Sequence, residues 1–113
     1  MTKDDLQEVA FEIILHSGDA RTVVHEGLDL MNKGKFEEAE KKMEDANNKL
    51  LEAHKSQTKL LQDYANGDEI TMEIIMVHAQ DHLMTTMAIK EMAIEFLKMY
   101  KQIYELKNGE VNA

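Results

Sequence analysis

The chain has 113 residues, with no cysteine, no proline, five glycines, and thirteen Lys and Arg against twenty-two Asp and Glu, a formal net charge of -9. The lack of cysteine excludes disulfides, thiolate chemistry and cysteine zinc sites, and the acidic balance repels nucleic-acid phosphates and anionic lipid while favouring a partner with a basic face. A chain of this length suits one domain, residues 1–113, with a real core, and its wealth of Ala, Leu, Glu, Lys and Met predicts an all-α fold.

The stretch MTKDDLQEVA at the N-terminus lacks the layout of a signal peptide, and no apolar run reaches the roughly 18 residues of a membrane span, so a cytoplasmic location is expected. Two breaks, NKGK around Gly34 and YANGDE around Gly67, place glycine where a helix would end in a left-handed cap. They predict helices over about 4–32, 36–65 and 69–106, with Asp68 as N-cap of the third and a frayed polar tail at 107–113. Short connections make consecutive helices antiparallel neighbours, so the expected architecture is an antiparallel three-helix bundle.

The first helix offers the seam Leu6, Val9, Ile13, His16, Ala20, Val23, Gly27, Leu30, in which His16 is the polar exception. The second offers Phe36, Ala39, Met43, Ala46, Leu50, Ala53, Gln57, Leu60, Tyr64, with Gln57 as the exception. The third carries two seams. One is Ile75, His78, His82, Thr85, Ile89, Met92, Phe96, Met99, Ile103, Leu106, expected to look into the bundle, and the other is Ile70, Ile74, Val77, Asp81, Met84, Ala88. A helix in a lone bundle needs one apolar stripe, so the second seam points to packing against other copies of the chain.

Gln57 lies ten residues before Gly67 and His78 eleven after it, so the two are expected to face each other within about a turn. His16 falls near the level of His82. His78 and His82 are four apart and share a helix face, while Asp81 points to the second seam. Leaving these groups buried and unpaired would cost about 1–3 kcal/mol each, which favours a role for them.

Two histidines and a carboxylate could chelate zinc, yet a structural site needs four ligands and a hydrolytic one needs a glutamate base. HEGLD at His25 is not HExxH, and no Glu-x-x-His pair of the di-iron bundles occurs. No glycine loop for phosphates and no Ser or Cys nucleophile with a base is in view. Histidine as a phosphoryl-accepting nucleophile, with a second histidine or an amide steadying the phosphate oxygens, is the remaining chemistry. A metal-binding or purely structural trimerisation bundle is the alternative.

At these residues the sequence resembles the lactose/cellobiose-specific enzyme IIA component of the bacterial phosphoenolpyruvate-dependent sugar phosphotransferase system. The landmarks are GDAR (Gly18 to Arg21), AHKSQT (Ala53 to Thr58) and the highly specific HAQDHLMTT (His78 to Thr86). The resemblance implies a homotrimer of three-helix subunits, a nine-helix bundle. It implies a phosphoryl group taken from the histidine-containing phosphocarrier protein onto His78, then passed to a cysteine of enzyme IIB for uptake of a β-linked disaccharide of the lactose, cellobiose or chitobiose class. Asp81 matches the family's aspartate that meets two symmetry mates around a divalent metal, usually assigned as Mg2+, one per trimer. Gln57, Gln80 and His82 match pocket positions, and Ala79 matches the small residue after the active histidine.

Overall fold

The structure, a computed structural model, describes residues 2–112, with side chains over 2–109. It is all-helical among the described residues: α1 spans Lys3–Asn32, α2 Phe36–Ala65 and α3 Ile74–Asn112. The three run down, up and down in a rod 65 Å long and about 20 Å across (21 × 19 Å).

α1 opens on a capping box, in which Thr2 Oγ1 accepts from the Asp5 N–H at 3.1 Å and the Asp5 carboxylate accepts from the Thr2 N–H at 3.0 Å. It ends at Gly34, whose φ of +77° lets the Lys35 N–H reach back to the Leu30 carbonyl at 2.9 Å. α2 ends in the same way: Gly67 has φ +99° and the Asp68 N–H donates to the Asp63 carbonyl at 3.1 Å. Both are six-to-one closures that an L side chain resists, hence glycine.

α3 begins later than the sequence suggests. Residues 68–73 are not helical, so Asp68 is no N-cap, and the first turn is set instead by Glu73, whose carbonyl accepts from the N–H groups of Met76 and Val77. The physical reason lies in contacts that a helix from 69 would forfeit. Ile70 packs on the upper core, and the Glu73 carboxylate takes Gln7 Nε2 at 3.5 Å and Lys3 Nζ at 3.7 Å, pinning the link to the start of α1. The β-branched pair Ile70 and Thr71 also weakens helix propensity there. At the other end, the backbone of 107–112 continues the helix instead of fraying, since no proline or positive-φ glycine interrupts it, while Ala113 lies outside the described residues.

α1 packs against both other helices, whereas α2 and α3 touch much less. An upper core joins Leu6, Ile13, Leu50, Leu60, Met76 and Leu83, and a lower one joins Val24, Met31, Met43, Ala93 and Leu97. Burying each such side chain contributes about 1.5–3 kcal/mol. The observed stripes correct two seams. In α1 the buried set is Leu6, Ala10, Ile13, Ser17, Ala20, Val24, Gly27 and Met31, together with Val23, so the polar residue in the core is Ser17, and His16 is only half-buried. In α3 the inward stripe is Met76, Ala79, Leu83, Thr86, Ala93 and Leu97, a third row hidden in a segment apolar nearly all round. The first predicted seam therefore lies on the flank toward α1, and the second points straight out to solvent, leaving Ile74, Val77 and Met84 exposed.

Candidate functional site

Because Ala79, Leu83 and Thr86 point inward, the 100° step of an α-helix turns His78, His82 and Thr85 toward α1 and Asp81 away from the core. The two histidine rings stack in parallel, centroids 6.0 Å apart and planes inclined by 11°. His78 is exposed and His82 half-buried. His82 sits against α1 at Gly18, where a methyl group would stand 3.6 Å from its Nε2. Burial holds the His82 imidazole below the ordinary histidine pKa; the Arg21 guanidinium and then His78 push the same way, while Asp81 pulls it back up. His82 is thus kept neutral, with one ring nitrogen free to donate and one to accept.

Arg21, the only arginine among thirteen basic residues, fixes this flank. Its Nε donates to Thr86 Oγ1 at 3.0 Å and its Nη2 to Thr85 Oγ1 at 2.6 Å. The Thr85 hydroxyl in turn donates to the Asp81 carbonyl at 2.7 Å, with the His82 carbonyl 3.3 Å away. Thr86 is fully buried, so its hydroxyl needs this partner.

The structure brings His78 and His82 together and leaves Asp81 exposed on the opposite side of α3 from the core, with Gln80 half-buried. Gln57 does not face His78. Its Nε2 contacts Met84 Sδ at 3.8 Å, on the α2 side of α3, whereas His82 lies on the α1 side. The non-helical link 68–73 shifts the level at which α3 meets α2, which defeats counting from Gly67. Gln57 Oε1 is buried without a hydrogen-bond partner among the described residues, as is Ser17 Oγ. His16 comes close to the predicted level, but Gly18, two residues on and about 200° round the helix, makes the contact to His82. Spacing along the chain gives Arg21 no place in the site; its one sequence signal is that it is the lone arginine, standing inside GDAR.

No group of three or more His, Cys, Asp or Glu among the described residues of one chain is placed to hold a metal. Asp81 supplies one exposed carboxylate, so only several copies meeting at that face could offer the set of oxygen donors that a hard divalent cation requires.

Fold and site together define a three-helix bundle carrying a paired-histidine surface on the flank of its last helix, braced from the first. The profile of the family "PTS system, Lactose/Cellobiose specific IIA subunit" matches residues 8–101. The lichenan-specific phosphotransferase enzyme IIA component of Bacillus subtilis (strain 168) is 40% identical over 108 residues, 96% of this chain and 98% of that relative. A crystal structure of PtcA from S. mutans superimposes with a TM-score of 0.89 at 58% identity, covering 89% of this chain and 99% of that one. A solution structure of the IIA(Chitobiose)-HPr complex of the Escherichia coli phosphotransferase system gives a TM-score of 0.75 at 33% identity, over 88% and 96% of the chains. The chain belongs to the lactose/cellobiose-specific IIA family of the sugar phosphotransferase system. It is a phosphoryl-transfer component for sugar uptake, which does not favour the alternative of a merely structural or metal-binding bundle.

Proposed function

We propose that His78 accepts a phosphoryl group from the histidine-containing phosphocarrier protein, HPr, and passes it to a cysteine of enzyme IIB, for uptake of a β-linked disaccharide of the lactose, cellobiose or chitobiose class. The observation that carries this is the stacked pair: an exposed imidazole one helical turn from a half-buried one seated against Gly18. In the first step the N–P bond of the donor histidine breaks as an N–P bond to His78 forms, and in the second the His78 N–P bond breaks as an S–P bond to the thiolate of the enzyme IIB cysteine forms, leaving His78 as a free imidazole. Positioning and donors to the phosphoryl oxygens do most of the catalytic work in such transfers. His82 serves as that support within the chain, while Gln80 points about 200° round α3 from His78 and reaches a phosphoryl group only on a neighbouring copy. Gln57, on the other flank of α3, supports the pocket only from a neighbouring copy. The solved complex of a relative with HPr supports the choice of donor.

The chain works as a homotrimer in this reading. Ile74, Val77 and Met84 are exposed by 89%, 53% and 52% around Asp81, a face that calls for partners. Three copies of Asp81 would repel one another, and a divalent cation, Mg2+ by the chemistry of carboxylate oxygens, would relieve that repulsion and hold the assembly. No described helix is long and apolar enough to cross a membrane, and we place the protein in the cytoplasm, where its donor works.

Incubation with phosphoenolpyruvate and the general phosphotransferase proteins, followed by mass spectrometry under non-acidic conditions, should map one phosphoryl group to His78. Acceptance by His78→Ala at the wild-type rate would refute the assignment. For the assembly, sedimentation should show a trimer that Asp81→Ala weakens; an unaltered trimer without bound metal in that variant removes the role given to Asp81.

A further inference from the structure

We propose that Arg21 is a positioning residue for phosphoryl transfer, setting the rotation of α3 against α1 by gripping Thr85 and Thr86 so that the His78–His82 pair faces the donor. The inference rests on the reading of His78 as the phosphoryl acceptor.

Several features converge on it. The guanidinium is a planar fork, and here its Nε and Nη2 address two consecutive hydroxyls, Thr86 at 3.0 Å and Thr85 at 2.6 Å. Consecutive residues of a helix point 100° apart, so holding both fixes the angle of α3 about its own axis as well as its height. A single contact would leave rotation free. Thr85 relays the grip upward, because its hydroxyl donates to the Asp81 carbonyl at 2.7 Å, the peptide group that leads into His82. One turn up α1 from Arg21, Gly18 receives the His82 ring closely enough that a methyl group there would already touch its Nε2, at 3.6 Å. Fork and notch thus hold one edge of α3 at two levels.

This bracing matters because the apolar surface around the histidine pair is a poor guide to rotation. Its segment from Ile74 to Ile89 is apolar on several faces, and the inward row of Met76, Ala79, Leu83 and Thr86 competes with the flanking rows for burial. Hydrophobic burial is non-directional and would tolerate a helix turned by one residue, a turn that would carry His78 a quarter of the way round. The polar grip makes one rotation the best.

Lysine cannot replace the fork, since an ammonium is a point charge without two fixed donor directions. Arg21→Lys, Arg21→Gln and Thr85→Val should each lower kcat for phosphoryl acceptance from phosphorylated HPr by roughly ten- to a hundred-fold, the scale of an ångström-level misplacement, with KM for HPr within about twofold. The nuclear Overhauser contact between the His82 ring and Gly18 Hα should weaken in step. Thr85→Val keeps the Arg21 to Thr86 bond, so it stays informative if the Arg21 variants fail to fold. Unchanged kcat in folded Arg21→Lys and Thr85→Val overturns the proposal. So does a rise in KM alone, which would make Arg21 a docking residue for the donor. The wild-type reaction run alongside separates the two claims: its failure removes phosphoryl transfer itself, whereas an active wild type with unimpaired variants removes only the role of Arg21.

Discussion

His82 turns its Nε2 to the backbone of Gly18, close enough that a methyl group on the glycine would stand 3.6 Å away, an ordinary van der Waals contact. Gly18 lies inside a helix without a positive φ, so alanine should gain about 0.5–1 kcal/mol of stability through helix propensity. We expect Gly18→Ala to raise the urea midpoint and retain phosphoryl acceptance, and Gly18→Val to push the ring aside and lose it. A destabilised Gly18→Ala would show that the His82 ring cannot yield to a methyl group there.

Gly27 should respond with the opposite sign. It is buried where α1 meets α2, and a methyl group there runs into the Cε of Met43 and comes within 3.2 Å of Lys42 Cβ. Overpacking costs about 1–3 kcal/mol and outweighs the propensity gain. Gly27→Ala should therefore unfold at lower urea, by about 1 kcal/mol after the propensity gain of that order, and an increase in stability would mean that Met43 moves away freely.

The N-terminal cap gives a pH dependence of known direction. The backbone N–H of Thr2, then its hydroxyl, holds Asp5 below the ordinary carboxylate range. A depressed folded-state pKa contributes stability above the unfolded value of 3.8, lost as pH falls through the lower folded value. Protection of the first-turn amides of α1, measured against the intrinsic exchange rate at each pH, should fall on acidification below that value while the bundle core stays protected. Thr2→Ala should cost about 1 kcal/mol at neutral pH; equal exchange in the variant and the wild type would count against the cap.

At the far end, Phe36 meets Tyr104 edge to face, with centroids 5.7 Å apart at 81°. Tyr104 lies beyond the family match that ends at residue 101. Tyr104→Leu keeps apolar bulk and loses the ring geometry, which at this half-open position is worth about 0.5 kcal/mol. A thermal shift too small to detect in a double-mutant cycle with Phe36→Leu would deny the pair any coupling.

How far the sequence could be read depended on whether a feature was decided locally. Gly34 and Gly67 close their helices through bonds spanning six residues, so both breaks were plain from the chain. The start of α3 was not, because Ile70 and Glu73 are drawn out of a helix by partners on α1. The histidine pair was readable from its spacing of four. Its partner was not, since the choice between the α1 and α2 flanks depends on which of three apolar rows in α3 turns inward. That same ambiguity displaced Gln57 onto Met84 and hid Arg21, whose bonds exist only once α1 and α3 are in register.

The bonds that tie α1 to α3 and to the link before it are all distant along the chain: Gln7 to Glu73 spans 66 residues, Arg21 to Thr85 and Thr86 spans 64 and 65. On a ribosome, α1 and α2 can pair as a hairpin while the rest is still being made, but nothing can fill the open side of α1 before α3 emerges. Contacts of such separation form late. A product interrupted before α3 would therefore leave Arg21 idle and carry no histidine pair at all, so the chemistry of this protein switches on only once α3 has been made and folded onto α1.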